Sequence, residues 1–289
     1  MEAYFNGRIF NGEKFLKNAC ILTANNKIIK IVDDNSVPIN AEKINLQGHI
    51  LAPALIDLQI YGGNGQFFGE FPSVQALEAT YNYCVAGGAA HFMPTVATHS
   101  EAVMFKAIDA VKLYWEQGGK GVLGLHLEGP YLNIKKRGAH LKQFIKHFPS
   151  IHAVQSILEY GKGIIKVMTI APEIVSDEVI ELLQKYGVTI SLGHSNATFI
   201  EAKAAFSKGA TICPLEKVPR SPPCLLLGQV ESDFAREAKS SPALIFFSNA
   251  SAFSLAFFFS SGVALASTPQ RIWLAFTLGS CLNLSGLSS

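Results

Sequence analysis

Two stretches of this chain bring together side chains able to do hydrolytic chemistry. In Gly124 to His140, GLHLEGPYLNIKKRGAH, a β-prone run (Val122, Leu123, Leu125, Leu127) delivers His126 and Glu128 to its end and breaks at Gly129-Pro130. In Ile190 to Lys203, ISLGHSNATFIEAK, a second run ends at Gly193-His194. Each residue alone has an ordinary reading, a carboxylate exposed in a loop or a histidine hydrogen-bonded in one. A carboxylate and an imidazole at two strand ends are also the N/O donors of a hydrolytic zinc site, which keeps an open position for water. Glu128 and His194 are one ligand short of that set.

Such ends converge only if the strands run the same way, and the chain from residue 51 has that rhythm. Leu55 to Tyr61 reads as a strand closed by Gly62-Gly63, Ser73 to Val85 as a helix on Val74, Leu77, Tyr81 and Val85, and His91 to Ala97 as the next strand. Ser100 is expected to cap a helix whose face is Val103, Met104, Ala107, Ile108, Val111 and Trp115, ended by Gly118-Gly119. After the Glu128 strand a less regular stretch reaches about residue 163. It is followed by a strand Ile164 to Ala171, a helix Ser176 to Tyr186 and a strand Val188 to Gly193. Thr198 and Glu201 form a capping box for a helix that runs to Lys208 and stops at Gly209. Five or six β-α units in one direction predict an α/β fold, a (βα)8-type TIM barrel whose site lies where the strands end. Residues 1 to 50 read instead as a small β domain. Strands Tyr4 to Ile9, Ala19 to Thr23 and Lys27 to Val32 are punctuated there by Asn-Gly and Asn-Asn pairs that tolerate positive φ.

Composition narrows the function classes. With 49% hydrophobic and 16% charged residues among 289, the chain can bury the core of one large barrel or two smaller domains. A net charge of +2, with no basic cluster beyond Lys135-Lys136-Arg137, gives a nucleic-acid partner no support. Five cysteines (Cys20, Cys84, Cys213, Cys224, Cys281) without a C-x-x-C fit reduced thiols of a cytoplasmic protein, not a disulfide framework or a cysteine zinc site. The N-terminus has neither a basic start nor an apolar h-region, so export is not expected.

Five motifs then carry a resemblance. LAPALIDLQIYGGNG at 51 to 65, HFMPTVAT at 91 to 98, GLHLEGPYLNIKKRGAH at 124 to 140, MTIAPE at 168 to 173 and GHSNAT at 193 to 198 resemble, in order, the signatures of N-acetylglucosamine-6-phosphate deacetylases of the amidohydrolase superfamily. The resemblance spans about residues 1 to 211. It implies that Glu128 and His194 are metal ligands, that Ala139 and His140 contact the sugar, and that His126 is a packing or supporting histidine. It implies one divalent ion, zinc, since Gln59-Ile60-Tyr61 stands where the superfamily usually carries His-x-His on its first barrel strand. The implied reaction is hydrolysis of N-acetylglucosamine 6-phosphate to glucosamine 6-phosphate and acetate. A metal-activated water attacks the acetamide, and a carboxylate base passes its proton to the departing amine. The implied setting is a cytoplasmic homodimer acting on a small amino-sugar phosphate, with no membrane. The Lys135-Lys136-Arg137 trio reads equally as an attractor of sugar phosphate and as a solvated loop.

The resemblance stops at Thr211. Where the family continues Thr-His-Leu-Phe/Tyr-Asn-Ala-Met, with the third ligand histidine, this chain runs GATICPLEKVPRSPPCLLLGQV. No histidine follows His194, and the catalytic aspartate has no counterpart, since Asp233 in VESDFAREAK lacks its motif. From Ser240 to Ser289 the only charged residue is Arg271. Residues 212 to 289 are therefore expected to be an aberrant, Ser/Phe-rich tail, as a shifted reading frame would produce, and the barrel to be incomplete. Impaired deacetylase activity is expected. The alternatives are a non-catalytic remnant that still binds amino-sugar phosphate and a protein attached to a membrane through residues 240 to 289.

Overall fold

The computed structural model describes residues 1–212 and the backbone of the strand Leu244–Phe247. Most of the expected tail therefore lies outside the described residues, including all of the stretch considered for a membrane except Leu244–Phe247. Among the described residues no helix is long and apolar enough to cross a bilayer. These residues divide into two units, one built from Met1–Ile56 with Cys84–Ala90, the other from Asp57–Tyr83 with residues 91 to 212.

The first unit is all β at its N-terminal end. One sheet has the order Lys27–Asp33, Ala19–Ala24, Glu2–Phe5, Glu42–Asn45. The other has Leu244–Phe247, Ile50–Pro53, Arg8–Phe10, Phe15–Leu16, with Leu244–Phe247 parallel to Ile50–Pro53. The single strand expected over Tyr4 to Ile9 is two strands in different sheets. Asn6 breaks it by adopting φ 54°, and a Cβ on Gly7 would lie 2.5 Å from Leu46 Cδ1. Asn25 and Asn26, at φ 50° and 59°, make the expected two-residue hairpin turn. Strand Ala19–Ala24 is buried on both faces because Ala19 and Ile21 pack with Ile9, Leu46 and Leu51, whereas Cys20 and Leu22 pack with Ala3 and Ala41.

The second unit holds the alternation. Strands β1 (Leu55–Ile60), β2 (Ala89–Ala97), β3 (Leu125–Glu128), β4 (Ile165–Ile170), β5 (Thr189–Leu192) and β6 (Ala210–Ile212) lie side by side in chain order. The pairs from β2 through β6 are parallel. Helices α1 (Val74–Ala86), α2 (Glu101–Glu116), α3 (Ile151–Tyr160), α4 (Asp177–Lys185) and α5 (Phe199–Ser207) connect them. This is the β-α succession of a TIM-type barrel over six strands, as the sequence pattern predicts.

Three local expectations need correction. The irregular stretch before residue 163 contains α3, which Ser150 caps by accepting the Ala153 N–H and which buries Val154, Ile157 and Leu158. The inward face of α2 ends in Tyr114, not Trp115. Tyr114 is wholly buried because its hydroxyl bonds Glu78 Oε2 and the Lys120 carbonyl, each at 3.0 Å. Ser100 occupies the N-cap position of α2 but makes no side-chain cap bond. The capping box of Thr198 and Glu201 on α5 is present in full.

Candidate metal centre

Glu128 is the last residue of β3 and is 3% exposed. Its two carboxylate oxygens are ringed by side chains from three other segments. Gln59 Nε2 donates to Oε1 at 2.9 Å, and Tyr61 Oη donates to Oε2 at 2.5 Å. His194 Nε2 lies 3.1 Å from Oε1, and His140 Nε2 lies 3.5 Å from Oε2. Burial alone would raise the Glu128 carboxyl. Hydrogen bonds from His140 and Tyr61, and from His194 whenever a proton occupies its Nε2, outweigh it and hold the group well below the usual carboxylate range.

The two histidines are oriented differently, and their outer partners assign their tautomers. His194 Nδ1 sits 3.1 Å from the Lys136 carbonyl, which can only accept, so Nδ1 carries a proton and the Nε2 lone pair faces Glu128. Two acceptors 3.1 Å apart are resolved by a proton or a cation between them. Tetrahedral N/O ligands with bonds of about 2.0–2.1 Å lie about 3.3 Å from one another, so the spacing suits a cation. A ligating histidine that donates its other N–H to a carbonyl is also the usual supporting arrangement. His140 is reversed. The Thr98 N–H donates to its Nδ1 at 3.2 Å, which puts the proton on Nε2, 3.2 Å from His194 Nε2. Glu128, His140 and His194 together place one ligand atom each within 4.8 Å of one another, a cluster able to hold a metal ion.

The remaining residues fall around this cluster. His126, on the same face of β3 two residues earlier, is buried with Nδ1 3.1 Å from the Leu58 carbonyl and Nε2 2.7 Å from Thr169 Oγ1. Burial holds it below the ordinary imidazole value, that is, neutral. Ala139 is exposed next to the buried His140. Arg137 Nη1 donates to the His140 carbonyl at 2.8 Å and braces this turn, while Lys135 and Lys136 are exposed. Sequence reasoning missed Thr98, whose N–H sets the His140 tautomer and whose Oγ1 donates to the Glu128 carbonyl at 3.1 Å. Its signal was the threonine that ends HFMPTVAT.

Comparison with known proteins places the chain. Residues 1–51 match the NagA composite domain. The N-acetylglucosamine-6-phosphate deacetylase of Haemophilus influenzae is 32% identical over 209 residues, covering 72% of this chain and 54% of that protein. The part that matches belongs to the N-acetylglucosamine-6-phosphate deacetylase family. The deacetylase of Homo sapiens is 37% identical over 179 residues, 59% of this chain and 43% of its own. The crystal structure of the Pasteurella multocida deacetylase superposes with a TM-score of 0.69 at 32% identity, covering 73% of this chain and 55% of that one. The chain spans about half the length of the curated deacetylases it matches.

Proposed function

We propose that this chain carries the metal- and sugar-binding part of a site that hydrolyses N-acetylglucosamine 6-phosphate to glucosamine 6-phosphate and acetate, and that its turnover is impaired. The observation that carries the reading is the contact between Glu128 Oε1 and the His194 Nε2 lone pair at the ends of β3 and β5. These two residues hold one divalent ion, zinc by the preference of imidazole and carboxylate donors. When bound, that ion polarises an acetamide carbonyl and lowers the pKa of a water. The chain's own groups do the rest. Gln59 and Tyr61 fix the Glu128 carboxylate by donating to both its oxygens. His140 presents an Nε2–H to an acceptor on the sugar, and the methyl side chain of Ala139 leaves that approach open. The barrel units of residues 51 to 211 supply these groups, residues 1 to 50 form a small β domain, and residues 212 to 289 stand outside the family pattern. No aspartate in the family's motif supplies the base, and no histidine follows His194 to complete the ligand set. The family further suggests a cytoplasmic homodimer, which light scattering on the purified chain checks.

Calorimetric titration of the full chain tests the reading. One zinc ion per chain is expected, with binding lost in His194→Ala and sugar-phosphate binding weakened in His140→Ala. A wild-type chain that takes up no metal would sink the proposal.

A further inference from the structure

Glu173 lies in the 3-10 turn Pro172–Ile174 that follows β4, and the reaction gives it no part. Its carboxylate nevertheless gathers donors from two other loops. Oε1 accepts from Asn133 Nδ2 at 2.8 Å and from the Asn196 N–H at 2.5 Å, and Oε2 accepts from Ser195 Oγ at 2.6 Å. One side chain thus ties the loop after β3 to the two residues that follow His194. His194 itself is left-handed, at φ 48°. A non-glycine residue holds that conformation only where its surroundings over-determine it.

The other restraints converge on the same point. The Asn133 N–H donates to the His194 carbonyl at 2.9 Å, and the Gly193 N–H donates to the Ile170 carbonyl at 3.1 Å. Asn133 is therefore held by Glu173 through its side chain while it holds His194 through its backbone. A bond to a charged acceptor is stronger than a neutral one, so the carboxylate is the strongest member of this clamp.

We propose that Glu173 is a positioning residue for the metal centre: by gathering Asn133, Ser195 and Asn196 it locks His194 in its left-handed conformation and aims Nε2 at Glu128. Its consequence for metal affinity rests on the reading of His194 as a ligand; its consequence for the ring does not.

Glu173→Ala and Glu173→Gln in the full chain separate the possibilities. The amide retains an acceptor for Asn133 and Asn196 and can donate to the Ser195 hydroxyl, so Gln is expected to rescue what Ala loses. Cobalt titration followed by visible absorption should show affinity about 10- to 100-fold weaker in Glu173→Ala, the usual cost of removing an outer partner, and near wild type in Glu173→Gln. Nitrogen NMR of the metal-free chain should show His194 as a single Nδ1–H tautomer in wild type and Gln, and as a mixture in Ala. A ring tautomer and cobalt affinity unchanged in Glu173→Ala overturn the proposal, even if the thermal midpoint falls. If wild type binds no cobalt, the metal reading fails, and the tautomer comparison alone decides the role of Glu173. Should Glu173→Ala not fold, Asn133→Ala removes one donor and is expected to shift the tautomer the same way. An unshifted ring there also counts against the clamp.

Discussion

Glu128 is a buried carboxylate kept ionised by donors aimed at it, and that arrangement has a pH signature. Its folded pKa lies below its unfolded one. The stability it contributes is thus fully present above the unfolded value of about 4.3 and is lost as pH falls through the lowered folded value. Tyr61→Phe removes the donor to Oε2 and lets the folded value climb. Acid unfolding followed by circular dichroism should begin at higher pH in this variant, with a loss near neutrality of about 1.5–3 kcal/mol, as for a hydrogen bond to a charged group. A midpoint unmoved by the substitution would mean that the two imidazoles suffice. The positions of Glu128 and His194 were legible in the sequence because a strand followed by glycine announces its own end. Thr98 and Glu173 were not, because they act through a backbone amide and through bonds to residues at least 22 positions away, which no local pattern encodes.

At the scale of elements, β1 carries a cost together with its function. Asp57 and Gln59 share one face of this strand, with Tyr61 continuing it, and the Asp57 carboxyl accepts the Gln59 N–H at 3.0 Å. Burial pushes its pKa up from 3.8 to about 6. Below the unfolded value both states are protonated. Between that value and about 6 the folded state binds the extra proton, so stability falls as pH rises through this window. Asp57→Asn keeps an oxygen for the Gln59 N–H and removes the charge. Thermal melts should show it stabilised by up to about 3 kcal/mol at pH 8, at ~1.4 kcal/mol per pKa unit, and unchanged at pH 3. On α5, Thr198→Ala removes one side of the capping box and is expected to cost about 1 kcal/mol, read as faster amide exchange across Phe199–Ser207. That cap was legible from T-x-x-E alone. Helix α3 was not, although Ser150, Val154, Ile157, Leu158 and Gly161 supply its cap, stripe and stop. The 3-10 turns Ile134–Lys136 and Lys142–Phe144 before it have no period of their own and hid where the next one began.

At the scale of the whole molecule, the resemblance and the chemistry part company at β6. Among the described residues β6 pairs only with β5, and β1 ends the sheet on the other side. From Ser240 to Ser289 the chain carries Arg271 as its one charged residue amid phenylalanine-rich apolar runs, a composition that promotes association, so the 289-residue chain expressed as written should partition largely into the pellet or elute as large species. Its soluble fraction tests the proposed impairment directly. A positioned general base contributes about 10²–10⁴-fold to such a reaction, and a missing metal ligand lowers occupancy as well. Acetate release from N-acetylglucosamine 6-phosphate should therefore fall at least ~10³-fold below that of a full-length relative assayed with the same zinc. The base has no counterpart in the family's motif anywhere in the sequence, so turnover in the relative's own range would require a carboxylate outside that motif to take its place, with Asp233 the aspartate available beyond Asp177. Asp233→Asn would then be expected to abolish turnover while leaving cobalt bound at Glu128 and His194.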